Sequence, residues 1–534
     1  MLIRLQILFL SIMREKKQVL YNVFLLLALA YTFSYVFWFR WNDGFFFLNR
    51  SLIYEKDIME IGSMFLLNLW SRVVGFGVLQ ANILAWILCI LSLVFPFSLL
   101  LDKRERKQYL GNLCLAVALM GAFTHNLYNP DAPTVFFLSI LTAVILKYGL
   151  SNPSLIMCIG GLVGALACIR FPNIVIVPML VLLFFLSKEK FLIKLRNALW
   201  FVLVFFVSYV LMVCLMSGRW DFSVYFSETL KESFALADDA HGIYTLFHSY
   251  VFSLFYLSWR LILLLALFLL WWRLGLFEKK STTICFSVIL LALLFLGRAE
   301  AVVGGFKELF GGLVMVLVLY GMRCRGLYMR LSIMEGLTIL MFIFVPVAGS
   351  DTGLMKIYPF SIVLFLILSI RLRIFDNHRL KSLALLMPFL LFSVYAFSAD
   401  FFKERKYECW STVPNLHQFV SNRQETYFLT MLEEIRNSEC EGKVLIYGSC
   451  SHILYVSLQK KLPLLMPFYM NADDPKMIEW ASKAMTNDHS LVTVDFTKSQ
   501  KMRGFMEKVG AKIIKEQQYC TAYSFEDETG SGNL

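Results

Sequence analysis

The feature that most constrains this chain is a succession of apolar runs, each long enough or nearly long enough to cross a lipid bilayer. The hydrocarbon core of a bilayer is about 30 Å thick, so a spanning helix needs about 20 mainly apolar residues. The runs predict an all-α polytopic membrane region of about thirteen transmembrane helices. They lie at about 18–38, 79–101, 110–128, 133–148, 154–170, 171–187, 195–216, 250–272, 282–298, 302–320, 331–349, 356–370 and 380–398.

Composition separates this chain from soluble proteins. Of its 534 residues, 58% are hydrophobic and 16% are charged, whereas soluble domains have about 45–50% apolar and about 25% charged residues. The net charge of +12 could suit a nucleic-acid binder. The basic residues, however, form short clusters between apolar runs rather than one soluble face, so we expect a bilayer and no nucleic acid as partner. Residues 1–12 are too short to span and have no small-residue cleavage site, so we expect no signal peptide and regard Met13 as an alternative start.

The clusters of Lys and Arg predict the orientation of the helices. They occur in alternate loops, and the positive-inside rule places those loops in the cytoplasm together with the N-terminus. An odd number of spans then places the C-terminal region outside a plasma membrane, which would be the inner membrane of a bacterium. The clusters are Arg14/Lys16/Lys17, Lys103/Arg104/Arg106/Lys107, Lys188/Lys190/Lys194/Arg196, Arg273/Lys279/Lys280, Arg323/Arg325/Arg330 and Arg371/Arg373/Arg379/Lys381.

The sequence becomes soluble in character after about residue 398, which predicts a membrane domain at 1–398 and a small α/β domain at 399–534. Apolar runs typical of buried strands alternate there with helical patterns. No glycine-rich nucleotide-binding motif occurs, so we expect no nucleotide site in this domain. The predicted strands are 443–448, 491–495 and 511–515, and the predicted helices are 423–437, 475–486 and 499–509.

Two external loops are longer than simple turns. The first, 40–78, mixes acids with aromatic and apolar residues, and its apolar positions suggest short helices in the membrane interface. Those positions are Met64, Phe65, Leu66, Leu69, Val73 and Val74. The other, 217–249, is polar and contains several acids and two histidines.

Acidic residues at the external ends of the spans are candidates for catalysis. Asp43 lies in the sequence Asn-Asp-Gly directly after the first span, where a turn is the simplest interpretation. Glu60 is either a second catalytic acid or a solvated residue of an interfacial helix, and its chemistry does not single it out, because Glu55 and Asp57 are equally acidic and equally placed. Asp131 precedes an apolar span and either caps that helix or contacts a substrate. His125 lies in an apolar run. It is either a substrate contact or a polar residue whose hydrogen bonds are made within the protein.

Four cations are candidates for binding an anionic substrate. Ionisable groups at membrane depth cost at least about 2.5–3.5 kcal/mol each, so they tend to face a cavity or a partner. Arg170 ends the fifth predicted span, and Arg298 and Lys307 lie around the ninth and tenth. Structural pairing with Glu300 and Glu308 is the alternative for the latter two. The remaining cation, Lys356, ends a Gly-, Ser- and Asp-containing loop that could offer N–H groups to an anion.

Several of these motifs resemble those of GT-C fold glycosyltransferases, in the branch related to protein O-mannosyltransferases (glycosyltransferase family 39) and the lipid A aminoarabinose transferase. An acid follows the first span, and a second acid precedes the sequence MFLLNLW at 64–70. The sequence NPDAPTVFF at 129–137 is similar to the family's Asp at a helix start. GALACIRFP at 164–172 is similar to its basic residue before a proline-rich span. The layout of about thirteen spans followed by an external domain is also similar.

The resemblance implies transfer of a sugar from a polyprenyl-phosphate carrier to a glycan, lipid or protein acceptor at the outer face of the membrane. Asp43 matches the position of the family's carboxylate base, and attack by a base-activated hydroxyl would invert the anomeric carbon. Cations such as Arg170 would hold the donor phosphate. No cofactor is required with certainty, and a divalent metal ion, if one binds, would be held by Asp43 and Glu60.

Two other functions remain open. A flippase or transporter of lipid-linked glycans would show internal repeats and charges near the middle of the membrane. No repeat is seen here, and the acids cluster at external ends. An O-antigen ligase or polymerase would also handle polyprenyl-linked sugars. The polar loop 217–249 is compatible with that function, whereas the C-terminal domain argues against it.

Overall fold

The computed structural model describes the parts of the chain that carry most of the predicted features. The described residues are 2–38, 44–123, 128–150, 152–186, 189–236, 263, 266–271, 273–276, 281–282, 284–286, 288–289, 332–348, 357–371, 407–437, 444–448, 451–461, 475–488 and 491–524.

The described residues are mostly helical. Short 3-10 turns lie at Tyr35–Phe37, Tyr54–Lys56 and Phe171–Val175. The helices are α1 (Leu2–Ser34), α2 (Gly44–Ser51), α3 (Ile61–Val74), α4 (Val78–Leu100), α5 (Lys103–Phe123), α6 (Asp131–Tyr148), α7 (Pro153–Ile169), α8 (Ile176–Leu186), α9 (Phe191–Ser217), α10 (Phe222–Leu236), α11 (Ile333–Val347), α12 (Ile357–Arg371), α13 (Asn422–Asn437), α14 (Ser451–Leu458), α15 (Pro475–Asn487) and α16 (Gln500–Lys508).

Four of the described helical segments are long and apolar enough to cross a membrane, and they make the chain a multi-pass membrane protein. They are Gln18–Phe37, Val78–Leu100, Asp131–Tyr148 and Phe191–Ser217. The shorter apolar helices α7, α8, α11 and α12 agree with predicted spans. The spans predicted at 302–320 and 380–398, and most of those at 250–272 and 282–298, lie outside the described residues. The count of thirteen therefore stays a prediction.

The chain folds into two compact units, each made of several segments. The first contains the described residues of Met1–Val36, Ala85–Met212 and Ala240–Glu404, and the second those of Phe37–Leu84, Val213–Asp239 and Arg405–Leu534. The second unit therefore combines the first external loop with the C-terminal region, although the two are far apart in the sequence.

The centre of the first unit is α12, which is apolar and buried on nearly every side. A helix that is hydrophobic all round must be covered all round, and α12 packs on α5, α6 and α11. Two polar contacts fix it against α5. The Tyr358 hydroxyl donates to the Leu119 carbonyl at 3.0 Å, and the Asn112 amide donates to Ser369 Oγ at 3.3 Å.

Close packing of α7 on α9 depends on two glycines spaced as in a membrane GxxxG motif. A Cβ on Gly164 would lie 2.9 Å from Ser208 Cβ and 3.2 Å from the Phe205 carbonyl oxygen. A Cβ on Gly160 would lie 3.0 Å from Val204 Cβ. The two backbones approach so closely that neither position has room for a side chain.

The second unit contains a four-stranded mixed sheet, whose strands lie in the order β3 (Val444–Tyr447), β4 (Val492–Asp495), β6 (Thr521–Ser524) and β5 (Lys512–Glu516). Strands β3 and β4 are parallel, and β6 is antiparallel to both of its neighbours. The helix α13 buries Phe428, Met431, Leu432 and Ile435 on one face, a spacing typical of an amphipathic helix. The other strands are β1 (Cys409–Trp410) and β2 (Phe419–Val420).

The predicted strands and helices of the C-terminal region are confirmed, and β1, β2, β6 and α14 are additional. The helix predicted in the first external loop is confirmed as α3, with one difference. Met64 is fully buried rather than turned toward an interface, whereas Leu69, Val73 and Val74 are exposed. The apolar residues of α3 therefore divide between the interior of the second unit and its surface.

Candidate functional site

A buried ion pair lies within the first unit. Arg170 Nη1 and Asp131 Oδ1 are 3.7 Å apart, and the arginine is only 5% exposed. The same Nη1 donates to the Pro346 carbonyl at 3.4 Å. Both contacts are longer than the 2.7–2.9 Å of a charge-assisted hydrogen bond. The guanidinium is therefore buried and charged, but held by loose contacts.

Local sequence places these two side chains at helix ends. Asp131 is the first residue of α6, but Asn129 makes the cap, since its Oδ1 accepts from the backbone N–H groups of Asp131 and Ala132 at 3.0 and 3.3 Å. Arg170 follows α7 in an extended conformation, because Pro172 prevents the helix from continuing. The capping role considered for Asp131 thus belongs to Asn129, and the aspartate's carboxylate turns to Arg170.

Asn173 ties the two helix ends together. Its amide donates to Thr134 Oγ1 at 3.1 Å and to the Leu166 carbonyl at 2.9 Å, and the side chain is fully buried. Its Oδ1 is also buried and has no hydrogen-bond partner among the described residues. The Asn173 side chain is therefore a further polar group at this junction, beside the ion pair. Such a concentration of polar side chains is unusual among apolar helices.

A second polar cluster lies within the second unit, around Arg50 near the end of α2. Arg50 Nη1 donates to Glu60 Oε2 at 3.1 Å, and Nη2 forms an ion pair with Asp57. Asp57 is fully buried, and its burial raises the pKa of its carboxyl group against the lowering effect of Arg50. Glu60 therefore pairs with Arg50 at the start of α3 rather than extending into solvent.

The same helix α2 contacts α14 of the C-terminal region. The Asn49 amide donates to the His452 carbonyl at 2.8 Å, and the Phe46 ring packs edge-on against the imidazole with centroids 5.3 Å apart. The Arg50 guanidinium lies over the Phe46 ring, 4.8 Å from the ring centroid. Burial, together with the charge of Arg50, lowers the pKa of His452 to about 3. The imidazole is therefore neutral near pH 7.

The structure tests the positions of only some predicted site residues. It places Asp131 beside Arg170, and Glu60 beside Arg50, each pair within one unit. The remaining candidates lie outside the described residues, so their roles stay predictions. They are Asp43, His125, Arg298, Lys307 and Lys356.

The question of a metal ion also stays open at Asp43. No group of three or more His, Cys, Asp or Glu side chains that could hold a metal occurs within the part of the chain that is described. At Glu60, one carboxylate oxygen already accepts a hydrogen bond from Arg50. The positive charge of Arg50 would oppose a cation at that carboxylate, so Glu60 fits a metal site poorly.

Sequence analysis missed four residues that organise the second cluster, namely Asn49, Arg50, Asp57 and His452. The sequence signal for Arg50 and Asp57 was weak. Arg50 is one cation of the first external loop, and Asp57 is one of three acids that follow it within ten residues. His452 follows the buried strand β3 closely, at the beginning of α14, and no motif marks it.

No family model matches the chain, and no curated protein sequence matches it. Among solved structures, the chain is similar to ArnT from Cupriavidus metallidurans. The TM-score is 0.39 for the apo state and 0.40 for the form bound to undecaprenyl phosphate, each at 11% identity over 94% of this chain and 97% of ArnT.

The chain is also similar to the oligosaccharyltransferase of Archaeoglobus fulgidus, in a structure containing Zn and sulfate. There the TM-score is 0.43 at 12% identity, over 90% of this chain and 69% of that one. With every TM-score below 0.5, these likenesses give no residue correspondence, so the chemistry of the site rests on this chain's own residues.

Proposed function

We propose that this chain is an integral membrane glycosyltransferase that moves a sugar from a polyprenyl-phosphate donor to an acceptor at the external face. Three features support the proposal: the multi-pass apolar helices, the resemblance of the motifs around Asp43, Asp131 and Arg170 to GT-C enzymes, and the buried Arg170 guanidinium. The last is the single observation on which the proposal depends most.

Arg170 suits a lipid phosphate because its present contacts are weak and its surroundings are apolar. A guanidinium offers five N–H donors in a planar fork that matches phosphate oxygens. Its contacts with the Pro346 carbonyl and the Asp131 carboxylate are 3.4 and 3.7 Å long, so the guanidinium can still form shorter and stronger bonds. A phosphate could form bonds of about 2.7–2.9 Å. In this proposal Asp131 keeps the unliganded cation paired, which lowers the cost of burying it.

The proposed reaction is a direct displacement at the anomeric carbon. The acceptor hydroxyl oxygen forms a bond to that carbon while the bond from the carbon to the phosphate oxygen breaks. The bonding electrons leave with the polyprenyl phosphate, whose charge Arg170 would stabilise. Asp43 takes the hydroxyl proton as general base. Attack opposite to the leaving group gives inverted configuration. Glu60 and Asp57 hold Arg50 in this scheme and do not contact the sugar.

The test is a transfer assay with purified full-length protein and a panel of polyprenyl-phosphate sugars, with undecaprenyl phosphate as the lipid. Wild-type protein should transfer at least one sugar. A general base typically contributes 10²–10⁴-fold in rate. Asp43→Asn keeps the size of the side chain but cannot accept the proton, so it should lower kcat by about that factor.

Asp102→Asn is the matched control, because Asp102 is an exposed aspartate between α4 and α5. This variant should transfer at the wild-type rate. Wild-type protein that transfers no sugar from any donor, but moves lipid-linked glycans across vesicles, would replace the proposal with the transporter alternative. Wild-type transfer rates in Asp43→Asn would assign Asp43 to the turn alone.

A further inference from the structure

The geometry points to a positioning role for the C-terminal region: we propose that α14 anchors α2 through Asn49 and thereby positions Asp43. This inference deepens the proposed function and rests on it for the role of Asp43. Asp43 directly precedes Gly44, the first residue of α2. Because Asp43 is bonded to Gly44, we expect a change in the order of α2 to affect the proposed base.

The helix α2 cannot hold its own position. It has only eight residues, and isolated helices shorter than about 12–15 residues are marginal in water. Its order must come from what it contacts. Its aromatic residues are buried in the second unit, with Phe46 only 4% exposed. The partner that covers Phe46 edge-on is His452 of α14.

The anchor consists of one strong directional contact and one aromatic contact. Asn49 donates to the backbone carbonyl of His452 at 2.8 Å, and this bond depends on where α14 lies. A longer contact of 3.5 Å joins the same amide nitrogen to Nδ1 of the His452 imidazole. Asn49 is fully buried, and its other amide atom, Oδ1, has no partner among the described residues. A buried amide nitrogen whose contacts both go to His452 indicates that these contacts fix the position of α2 against α14.

Arg50 connects this anchor to the rest of the first external loop. The Arg50 side chain lies over Phe46 and binds both Asp57 and Glu60. These two acids lie shortly before α3, with Glu60 directly before its first residue. The contacts on α2 therefore run from α14, through Phe46 and Asn49, to Arg50 and α3. Loosening the bond to α14 should free the beginning of α2 more than the end, because Arg50 retains its two acids.

The consequence for catalysis is a loss of kcat without a loss of donor affinity. A displacement of about 1 Å at a reacting group can cost about 10²-fold in rate. Asn49→Ala removes the bond to α14 but leaves Arg170, the proposed phosphate ligand, untouched. We expect kcat to fall about tenfold, with the donor KM unchanged.

The chain offers a matched control. The Asn415 amide donates to the backbone carbonyl of Val456, also in α14, at 3.0 Å, but Asn415 does not belong to α2. Asn415 has a positive φ of 62°, so glycine is the replacement that keeps its backbone. Asn415→Gly removes the bond to Val456, a second one from the same amide to the Ser457 carbonyl of α14 at 3.3 Å, and the bond that Asn415 Oδ1 accepts from Gln459 at 3.2 Å. The variant therefore loosens α14 at least as much as Asn49→Ala does, and it should leave kcat unchanged.

The deciding experiment combines the kinetics with hydrogen exchange measured by mass spectrometry on the full-length protein in lipid nanodiscs. In Asn49→Ala, the amides of 44–51 should exchange about 2- to 10-fold faster, the factor expected from one hydrogen bond. In Asn415→Gly they should exchange as in wild type. Unchanged exchange in Asn49→Ala, or equal acceleration in both variants, would overturn the anchor.

The two readouts separate this inference from the proposed function. Faster exchange of 44–51 with an unchanged kcat would refute the positioning role while leaving the transferase intact. If wild-type protein transfers no sugar, the proposed function fails, and with it the catalytic consequence of the anchor. The exchange result then still decides whether α14 orders α2.

Discussion

The ion pair between Arg170 and Asp131 gives the sharpest prediction, because a structural pair and a phosphate site respond differently to neutralisation of both partners. Two unit charges 3.7 Å apart attract by about 4.5 kcal/mol at an effective dielectric constant of about 20. Removing one partner leaves a buried charge uncompensated, which typically costs about 3–5 kcal/mol.

We therefore expect Arg170→Gln and Asp131→Asn each to lower the free energy of unfolding by about 3–5 kcal/mol. The double variant places two neutral amides at the same junction and leaves no buried charge. It should recover most of that loss, which gives a coupling energy of about 3 kcal/mol in the double-mutant cycle. Titration of the purified protein with a denaturing detergent, followed by circular dichroism, measures all four free energies.

Donor kinetics then separate the two roles. A hydrogen bond to a charged group contributes about 1.5–3 kcal/mol, so loss of the phosphate contact should raise the donor KM about 10- to 100-fold. If Arg170 binds the phosphate, the double variant recovers stability but keeps the raised KM. A double variant that recovers both stability and the wild-type KM would refute the phosphate role and leave a purely structural pair.

Three further predictions concern packing, pH and orientation. Gly164→Ala should destabilise the protein because the new Cβ would lie 2.9 Å from Ser208 Cβ, whereas Gly161→Ala should be neutral or stabilising because its nearest neighbour is 3.8 Å away; thermal unfolding of the two variants compares them. The pKa of His452 is about 3 in the folded protein against about 6.5 when unfolded. The unfolded state therefore binds a proton first as the pH falls. Stability should be complete above about pH 6.5 and decline from there toward pH 3, by up to about 2 kcal/mol at pH 5, and His452→Phe should remove that decline in unfolding measured against pH. A periplasmic reporter enzyme fused after residue 400 should be active, and activity of a cytoplasmic reporter there would reverse the predicted orientation.

Local elements were readable from the sequence because their causes are local. The helix predicted at 423–437 is Asn422–Asn437, and the strand predicted at 491–495 is Val492–Asp495. In each case hydrophobic periodicity within a few residues determines the element. The strand Thr521–Ser524 was missed because its four residues carry little apolar pattern, and its place between β4 and β5 depends on pairing across the sheet.

The candidate sites were readable only as single residues. Asp131 and Arg170 were named from their positions at the ends of spans, but their pairing joins residues on two different helices. Glu60 was named without Arg50, its partner. Neither contact leaves a periodic trace in the sequence, since each is set by how helices and loops pack. The division at residue 399 followed the change in composition, whereas the second unit also includes residues of the first external loop.

The bond between Asn49 and His452 has a consequence for how the protein is made. The two residues are separated by 403 positions. At synthesis rates of about 5–20 residues per second, the second partner emerges about 20–80 s after the first. During that interval Phe46 and Asn49 lack the helix α14 that covers them. Chains that stop after residue 100 or after residue 440 therefore expose the same aromatic surface of α2. We expect unfinished chains to be held by chaperones or degraded, and the first external loop to reach its final form only at the end of translation.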